Sequence, residues 1–231
     1  MKMVNTSKKS NPFWFIALLW VAVWLFSACN TKPQTSTSNG TPNTNPPPAA
    51  DTITNGSLLT QQQAKTIIEQ YALNALRALT ANNTTLLAGL VHPQKGVRFS
   101  PYAFVNTDTD MVFLQQHVAK LANEVQKYTW GTFDGSGEPI TLTYNEYRKK
   151  FVTDKDYLNK ADSVGYNQII GRGNSVNNRE KVYSKAIIVE YYQSGKNPDF
   201  GGMDWGSLAL AFEKYNGQWF LTGIIHNGWT I

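Results

Sequence analysis

The alternation of apolar and polar positions is clearest near the C-terminal end of the chain. Two apolar runs, residues 207–212 and 218–225, lie close together, and the turn between them contains Asn216 and Gly217. Asn-Gly between strand-like runs is the strongest short-range signal of a β-hairpin. The pattern therefore predicts a terminal hairpin at the centre of a sheet, with residues 186–192 as a further strand.

Helical spacing of apolar residues begins after Thr60. Thr60 and Gln63 have the capping-box pattern, and apolar side chains then recur every three or four residues to about Ala81. A second, shorter helix is predicted from about Thr84 to His92, because a proline follows and disfavours helical backbone before it. The first part of the folded region is therefore expected to be helical.

The middle of the chain predicts shorter elements. These are a strand at 96–100, a third helix with an apolar stripe over 114–125, and a strand at 128–133. Thr143 and Glu146 form a second capping box, which predicts a short helix to about Val152. Residues 153–185 are polar and rich in asparagine, so the sequence predicts a long loop there.

The first 28 residues have the organisation of a secretory signal. Lys2, Lys8 and Lys9 form a basic segment, and residues 13–26 are a run of 14 uncharged, mostly apolar residues. That run is shorter than the roughly 20 residues that a membrane-spanning helix needs. We therefore predict a signal peptide at residues 1–28.

Cys29 is the only cysteine and follows this segment directly. Residues 25–29 (LFSAC) resemble the lipobox of bacterial lipoproteins, whose cysteine is lipidated after cleavage. The resemblance implies an extracytoplasmic protein that is anchored to the bacterial cell membrane through lipid on Cys29. An uncleaved anchor helix with an incidental cysteine is the alternative.

Residues 29–57 contain half of the ten prolines and almost no large apolar side chains. Such a segment cannot bury enough surface to fold, so it is predicted to be a flexible linker. Without residues 1–28 the net charge falls from +5 to +2, because that segment carries three lysines and no acidic residue. Such a charge does not favour a nucleic-acid partner.

The order of elements predicts an α+β fold for residues 58–231, in which helices cover one face of a bent, mostly antiparallel sheet. This order resembles the cone-shaped NTF2-like fold with three main helices. Several segments resemble an uncharacterised group of bacterial surface lipoproteins: residues 91–102, 164–170, 201–205, 223–226 and 229–231. The resemblance implies a fold and a location, and no activity.

Candidate site residues follow from the expectation that such a cone can hold a pocket between the sheet and the helices. Glu190 and His226 lie on predicted strands and are the candidates for acid and base catalysis, with Asp204 and Tyr191 contributing polar groups to the same pocket. The alternative is that Glu190 faces water or pairs with Arg98, and that His226 is a structural residue.

Trp205 and Arg98 are further candidates for binding. Trp205 follows two glycines, Asp204 is expected to cap that turn, and Arg98 can act as an anion ligand or as a buried ion-pair partner. The three histidines have no paired spacing, so neither a metal site nor another cofactor is predicted.

The sequence favours a module that binds a small molecule or a protein of the cell envelope. Two alternatives stay open. One is a pocket enzyme of the isomerase, dehydratase or hydrolase type that uses glutamate and histidine, and the other is a structural protein of the envelope. Fold analogy alone does not choose among them.

Overall fold

The computed structural model describes residues 55–230. They belong to the second of two compact units, Ala49–Ile231. The predicted signal peptide, Cys29 and nearly all of the predicted linker lie outside the described residues. Within residues 55–230, no helix has both the length and the apolar character needed to cross a membrane.

Six α-helices are found in this part of the chain. They are α1 (Gln61–Thr80), α2 (Thr84–Leu90), α3 (Gln115–Val118), α4 (Tyr144–Phe151), α5 (Tyr157–Lys160) and α6 (Arg179–Val182). The capping boxes at Thr60 and Thr143 are both formed, and Asn83 caps α2 through its side chain. Short polar side chains at these positions accept the free N–H groups of the first turn, which is why the starts of the helices were predictable.

Within residues 55–230, eight strands form a sheet of six strands and a separate hairpin. The strands are β1 (Val97–Ser100), β2 (Val112–Phe113), β3 (Lys127–Thr132), β4 (Pro139–Thr143), β5 (Ser163–Tyr166), β6 (Ile187–Gln193), β7 (Gly206–Tyr215) and β8 (Gln218–Gly228). The order in the large sheet is β2-β1-β8-β7-β6-β5, and β3 pairs with β4. Within the large sheet all pairs are antiparallel except β1 with β8.

The terminal hairpin lies at the centre of the large sheet, as predicted. Asn216 and Gly217 have φ angles of 48° and 83°, and positive φ at both positions is what the favoured hairpin turn requires. A register shift between Ala211 and Phe212 makes β8 contribute one extra residue, Thr222. Such a bulge bends the strand and strengthens its twist.

The two sides of the sheet are covered by different parts of the chain. On the helix side, α1 and α4 bury apolar residues against side chains of β6, β7 and β8 such as Tyr191 and Leu208. On the outer side, a smaller cluster joins Ala209 and Ile225 to Val105 and Tyr183. The predicted α+β class, with helices on a bent and mostly antiparallel sheet, is confirmed.

Two predictions about the middle of the chain are wrong, and one strand was not predicted. In place of the third helix at 114–125 there are the single turn α3 and a 3₁₀ turn at Leu121–Asn123, and the short strand β2 precedes them. The proposed apolar stripe is not buried as a unit, because Leu114 is 45% exposed and Val125 is 90% exposed. The sequence also failed to predict β4, and the polar segment predicted as one loop contains α5, β5 and α6.

Candidate functional site

Aromatic side chains fill the core on the helix side of the sheet. Trp130 stacks on Tyr147 with ring centres 4.0 Å apart and planes at 17°. Phe99 meets both rings edge-on, and Phe99, Trp130 and Tyr147 are almost completely buried. Each of these aromatic residues buries a large apolar area and gains from the ring geometry. The place where a cone-shaped fold can hold a pocket is therefore packed with side chains here.

Glu190 and His226 lie on opposite sides of the sheet. Glu190 pairs with Ala209, which belongs to the outer cluster, whereas His226 pairs with Leu208 in the helix-side core. Directly paired residues on neighbouring strands share a side of the sheet, and successive residues alternate. The single pocket that was expected to contain both side chains is therefore not formed.

Glu190 is completely buried and paired with Arg179. Arg179 Nη2 lies 2.7 Å from Glu190 Oε2, and the two side chains are 2% and 0% exposed. Glu190 also accepts the backbone N–H groups of Ile170 and Gly171, while Arg179 donates to the carbonyl of Gln168. The predicted alternative partner, Arg98, is thus replaced by Arg179. This ion pair fastens the segment before α6 to the outer side of the sheet.

His226 is a hydrogen-bonded residue close to the end of β8. Its Nδ1 lies 2.9 Å from the carbonyl oxygen of Pro101, and its Nε2 lies 3.3 Å from Asp154 Oδ2. Because a carbonyl only accepts, Nδ1 carries a hydrogen. The ring also meets Phe151 edge-on at 5.6 Å. These contacts tie β8 to the segment after β1 and to the segment after α4.

Tyr191 and Trp205 are packed side chains. Tyr191 lies in the helix-side core, and burial raises the pKa of its hydroxyl. Trp205 is 9% exposed, and its ring centre lies 5.8 Å from that of Tyr192. The indole also covers Gly171, because a Cβ atom added there would lie 2.6 Å from it. Tyr191 shares the helix side of the sheet with His226, because both pair with Leu208, and it lies on the opposite side from Glu190. Trp205 is close to Glu190 instead, since a Cβ on Gly171 would meet both side chains within 3.0 Å.

Asp204 and Arg98 both organise backbone. Asp204 Oδ2 accepts the N–H groups of Lys196 and Asn197, and these bonds lower the pKa of Asp204. Arg98 Nη1 donates to the carbonyl oxygens of Asn106, Thr107 and Asp110 at 3.0 to 3.4 Å. Asp204 therefore has the predicted turn-capping contact, and Arg98 holds the loop between β1 and β2.

The loop held by Arg98 forms one wall of an open cleft with a volume of about 570 Å³. Three other segments complete it: the β3–β4 hairpin, the segment before α6, and the end of the chain after β8. We call it the Asp110 cleft, and its lining consists of Pro101, Tyr102, Phe104, Asn106, Thr109, Asp110, Gly131, Thr132, Phe133, Asp134, Gly135, Gly137, Asn174, Ser175, Val176 and Thr230.

Asp110 is the one lining residue with a buried carboxylate. It is 8% exposed, and its Oδ2 accepts the Ser100 hydroxyl at 2.5 Å and the Asn106 N–H at 3.0 Å. Among the described residues, no donor contacts Oδ1, which lies 3.9 Å from the place of a Cβ on Gly131 in the cleft wall. Burial raises the pKa of Asp110 to about 6, although both hydrogen bonds and the charge of Arg98 oppose this rise.

Asp110 is not among the candidate site residues that the sequence predicts. A signal was available, because Asn106, Asp108 and Asp110 alternate in a short segment after a strand, and such polar side chains stabilise loops by local hydrogen bonds. The four segments of the cleft are far apart in the sequence, so their meeting could not be inferred from spacing.

The chain was compared with protein families, curated proteins and solved structures. No family model matches it, and no curated protein matches it. Two solved structures are similar. A variant of the NTF2 design Rd1NTF2_05 shares 13% identity with a TM-score of 0.31, and the match covers 71% of this chain and 99% of that one.

The second solved structure is titled as a putative calcium/calmodulin dependent protein kinase II association domain from Xanthomonas campestris. It shares 12% identity with a TM-score of 0.29, and the match covers 72% of this chain and 85% of that one. At these TM-scores the likeness carries no argument of its own, and the α+β architecture described above rests on the sheet and its helices.

Proposed function

We propose that this chain is a binding module that takes a small molecule in the Asp110 cleft. The observation that supports this function is the Asp110 carboxylate, which lines the cleft, belongs to a nearly buried residue and has no donor on Oδ1 among the described residues. Because no donor contacts Oδ1, this oxygen keeps an acceptor site that the donor group of a ligand can occupy. Small-molecule sites occupy roughly 300 to 1,000 Å³, a range that includes this cleft.

A thermal-shift screen of the full-length protein in detergent tests the proposal. A ligand at about 100 times its Kd adds about 2.7 kcal/mol, which raises the Tm of a domain of this size by about 5 to 10 °C. We expect Asp110→Asn to abolish the shift and Asp108→Asn to leave it unchanged. Asp108 is the matched control because it is an exposed acid of the same loop outside the cleft lining.

Acid and base catalysis in the same cleft is the second candidate. It is favoured by the pKa of Asp110, which is raised to about 6 and lies close to neutral pH, where a general acid or base is most effective. Turnover of a ligand found in the screen separates the two functions. An enzyme converts the bound molecule to a product and loses this activity in Asp110→Asn. A binding module releases the molecule chemically unchanged.

We also propose that the protein is held at the outer side of a bacterial cell membrane by lipid on Cys29, with residues 30–57 as a spacer. The sole cysteine after a signal-like apolar run supports this location. Metabolic labelling with a fatty-acid analogue checks it: the wild-type protein is expected to be labelled and found in the membrane fraction, and Cys29→Ala is expected to lose the label. Labelling of Cys29→Ala would contradict the proposal.

A further inference from the structure

The charges and rings around the Asp110 cleft point to an organic cation as its ligand, a molecule that presents an ammonium group to Asp110. This inference rests on the proposed binding function and adds the chemical class of the ligand. In this arrangement the ammonium donates to Asp110 Oδ1, and the body of the molecule lies between the aromatic and hydroxyl side chains of the cleft.

The ionisable acids of the cleft lining are Asp110 and Asp134, and no lysine or arginine is among its lining residues. Asp110 lies in the wall, and Asp134 is exposed in the β3–β4 hairpin. A cleft lined by one sign of charge concentrates ligands of the opposite sign. The lining therefore favours a cation and disfavours phosphate or carboxylate ligands.

Two cationic side chains lie near the cleft, and both have other contacts. Arg98 donates to the carbonyl oxygens of the loop that carries Asp110 and does not contact the carboxylate by a hydrogen bond. The Lys150 ammonium lies 5.4 Å from the centre of the Phe133 ring and 5.8 Å from that of Phe151. Lys150 therefore already lies over Phe133, which leaves the rings of Tyr102 and Phe104 for a ligand.

Three aromatic side chains line the cleft: Tyr102, Phe104 and Phe133. Phe104 is 49% exposed, so much of its ring is open to a ligand. The face of an aromatic ring attracts a cation within about 6 Å, and the attraction increases as the cation loses water. A carboxylate together with aromatic rings is thus a suitable environment for an ammonium group.

Hydroxyl groups provide further contacts. Thr109 and Thr132 line the cleft on two different walls, and both are exposed. Asn174 and Ser175, in contrast, are bonded to Thr230 and stabilise the far wall. The two threonine hydroxyls are therefore the side-chain groups best placed to bond polar atoms of the ligand's body.

The other titratable groups that interact electrostatically with the Asp110 carboxyl are Arg98 on β1, Tyr147 on α4 and Tyr183 after α6. Burial raises the pKa of both tyrosines, so their hydroxyls are neutral in the physiological range. Ionisation of Asp110 itself therefore controls how the affinity for an ammonium ligand depends on pH.

The test uses full-length protein in detergent and two trios of matched probes. One trio is glucosamine, glucose and glucose 6-phosphate, and the other is phenethylamine, phenethyl alcohol and phenylacetate. Each trio varies the charge on one scaffold. Affinities are measured by titration calorimetry, with probes at up to millimolar concentration, for the wild type, Asp110→Asn and the control Asp108→Asn.

We expect at least one ammonium probe to bind the wild type and Asp108→Asn, and to lose at least tenfold in affinity with Asp110→Asn. With the pKa of Asp110 at about 6, binding of phenethylamine, which stays protonated over this range, is expected to be about tenfold weaker at pH 5 than at pH 7.5, because only the ionised carboxylate attracts the ammonium.

Each other outcome overturns a stated part of the reasoning. Equal or tighter binding of the neutral or anionic members, lost in Asp110→Asn, overturns the cationic class and leaves the proposed binding function standing. Ammonium binding that Asp110→Asn does not change overturns both. If no member of either trio binds the wild type, the inference of an organic cation is wrong.

Discussion

Removing the charge of Glu190 is expected to destabilise the protein strongly. In Glu190→Gln, the guanidinium of Arg179 stays 2% exposed but loses its counter-charge. Breaking a buried ion pair by changing one partner costs about 3 to 5 kcal/mol, because an uncompensated charge is left in the interior. For a domain of this size that corresponds to a fall in Tm of about 6 to 20 °C.

Denaturation by urea, followed by tryptophan fluorescence, measures this loss. The matched control is Lys65→Gln, which breaks an exposed pair at 3.8 Å on the surface of α1 and is expected to cost about 0.5 kcal/mol or less. The double variant Glu190→Leu/Arg179→Met is expected to lose less stability than Glu190→Leu and Arg179→Met lose in sum when each is made alone. The reason is that no charge stays buried in the double variant. A cost for Glu190→Gln no larger than that of the control would refute the structural role of the pair.

Three further expectations concern the cleft and the glycines. Because the pKa of Asp110 is raised from 3.8 to about 6, its contribution to stability is present at low pH and is lost as the pH rises through 6. Asp110→Asn should therefore gain about 2 kcal/mol relative to the wild type between pH 4 and pH 7, measured by urea denaturation at each pH; a constant difference would contradict the raised pKa. Gly171→Ala should cost about 1 to 3 kcal/mol in the same assay, since its Cβ would lie 2.6 Å from Trp205. Gly89→Ala on α2, where no atom from outside the helix lies within 4 Å of the added Cβ, should instead stabilise the protein by about 0.5 to 1 kcal/mol. Equal effects of the two changes would contradict the close contact between Gly171 and Trp205.

The parts of the fold that depend on local chemistry could be predicted from the sequence. The capping boxes at Thr60 and Thr143 involve residues three positions apart, and the Asn216-Gly217 turn depends on the backbone of two residues. Each of these signals is complete within a few residues. Tertiary contacts then added to the local preference and did not oppose it.

The failures concern elements whose stability depends on distant partners. The edge strand β5 is held by its pairing with β6, in which Gly165 lies opposite Glu190, and it is only four residues long. At 114–125, apolar residues have nearly helical spacing, but Val125 finds no core to contact and is 90% exposed. Propensity is a weak guide in such segments because burial decides.

The placement of Glu190 and His226 on opposite sides of the sheet was not predicted, because it also depends on distant partners. The sequence predicts that Glu190 lies on a strand. Which residues of β8 share its side of the sheet depends on the register of two strand pairs and on the bulge at Ala211. Glu190 therefore meets Arg179 in a buried pair, whereas His226 meets Pro101 and Asp154.

The most direct measurement on the central claim is the NMR titration of the Asp110 carboxyl carbon, with and without a ligand that raises the Tm. Without ligand, we expect a midpoint near pH 6. An ammonium ligand favours the charged form, so the midpoint should move to lower pH when it binds. A carboxyl signal that does not change when the Tm rises would place the ligand elsewhere and contradict the assignment of the Asp110 cleft as the binding site.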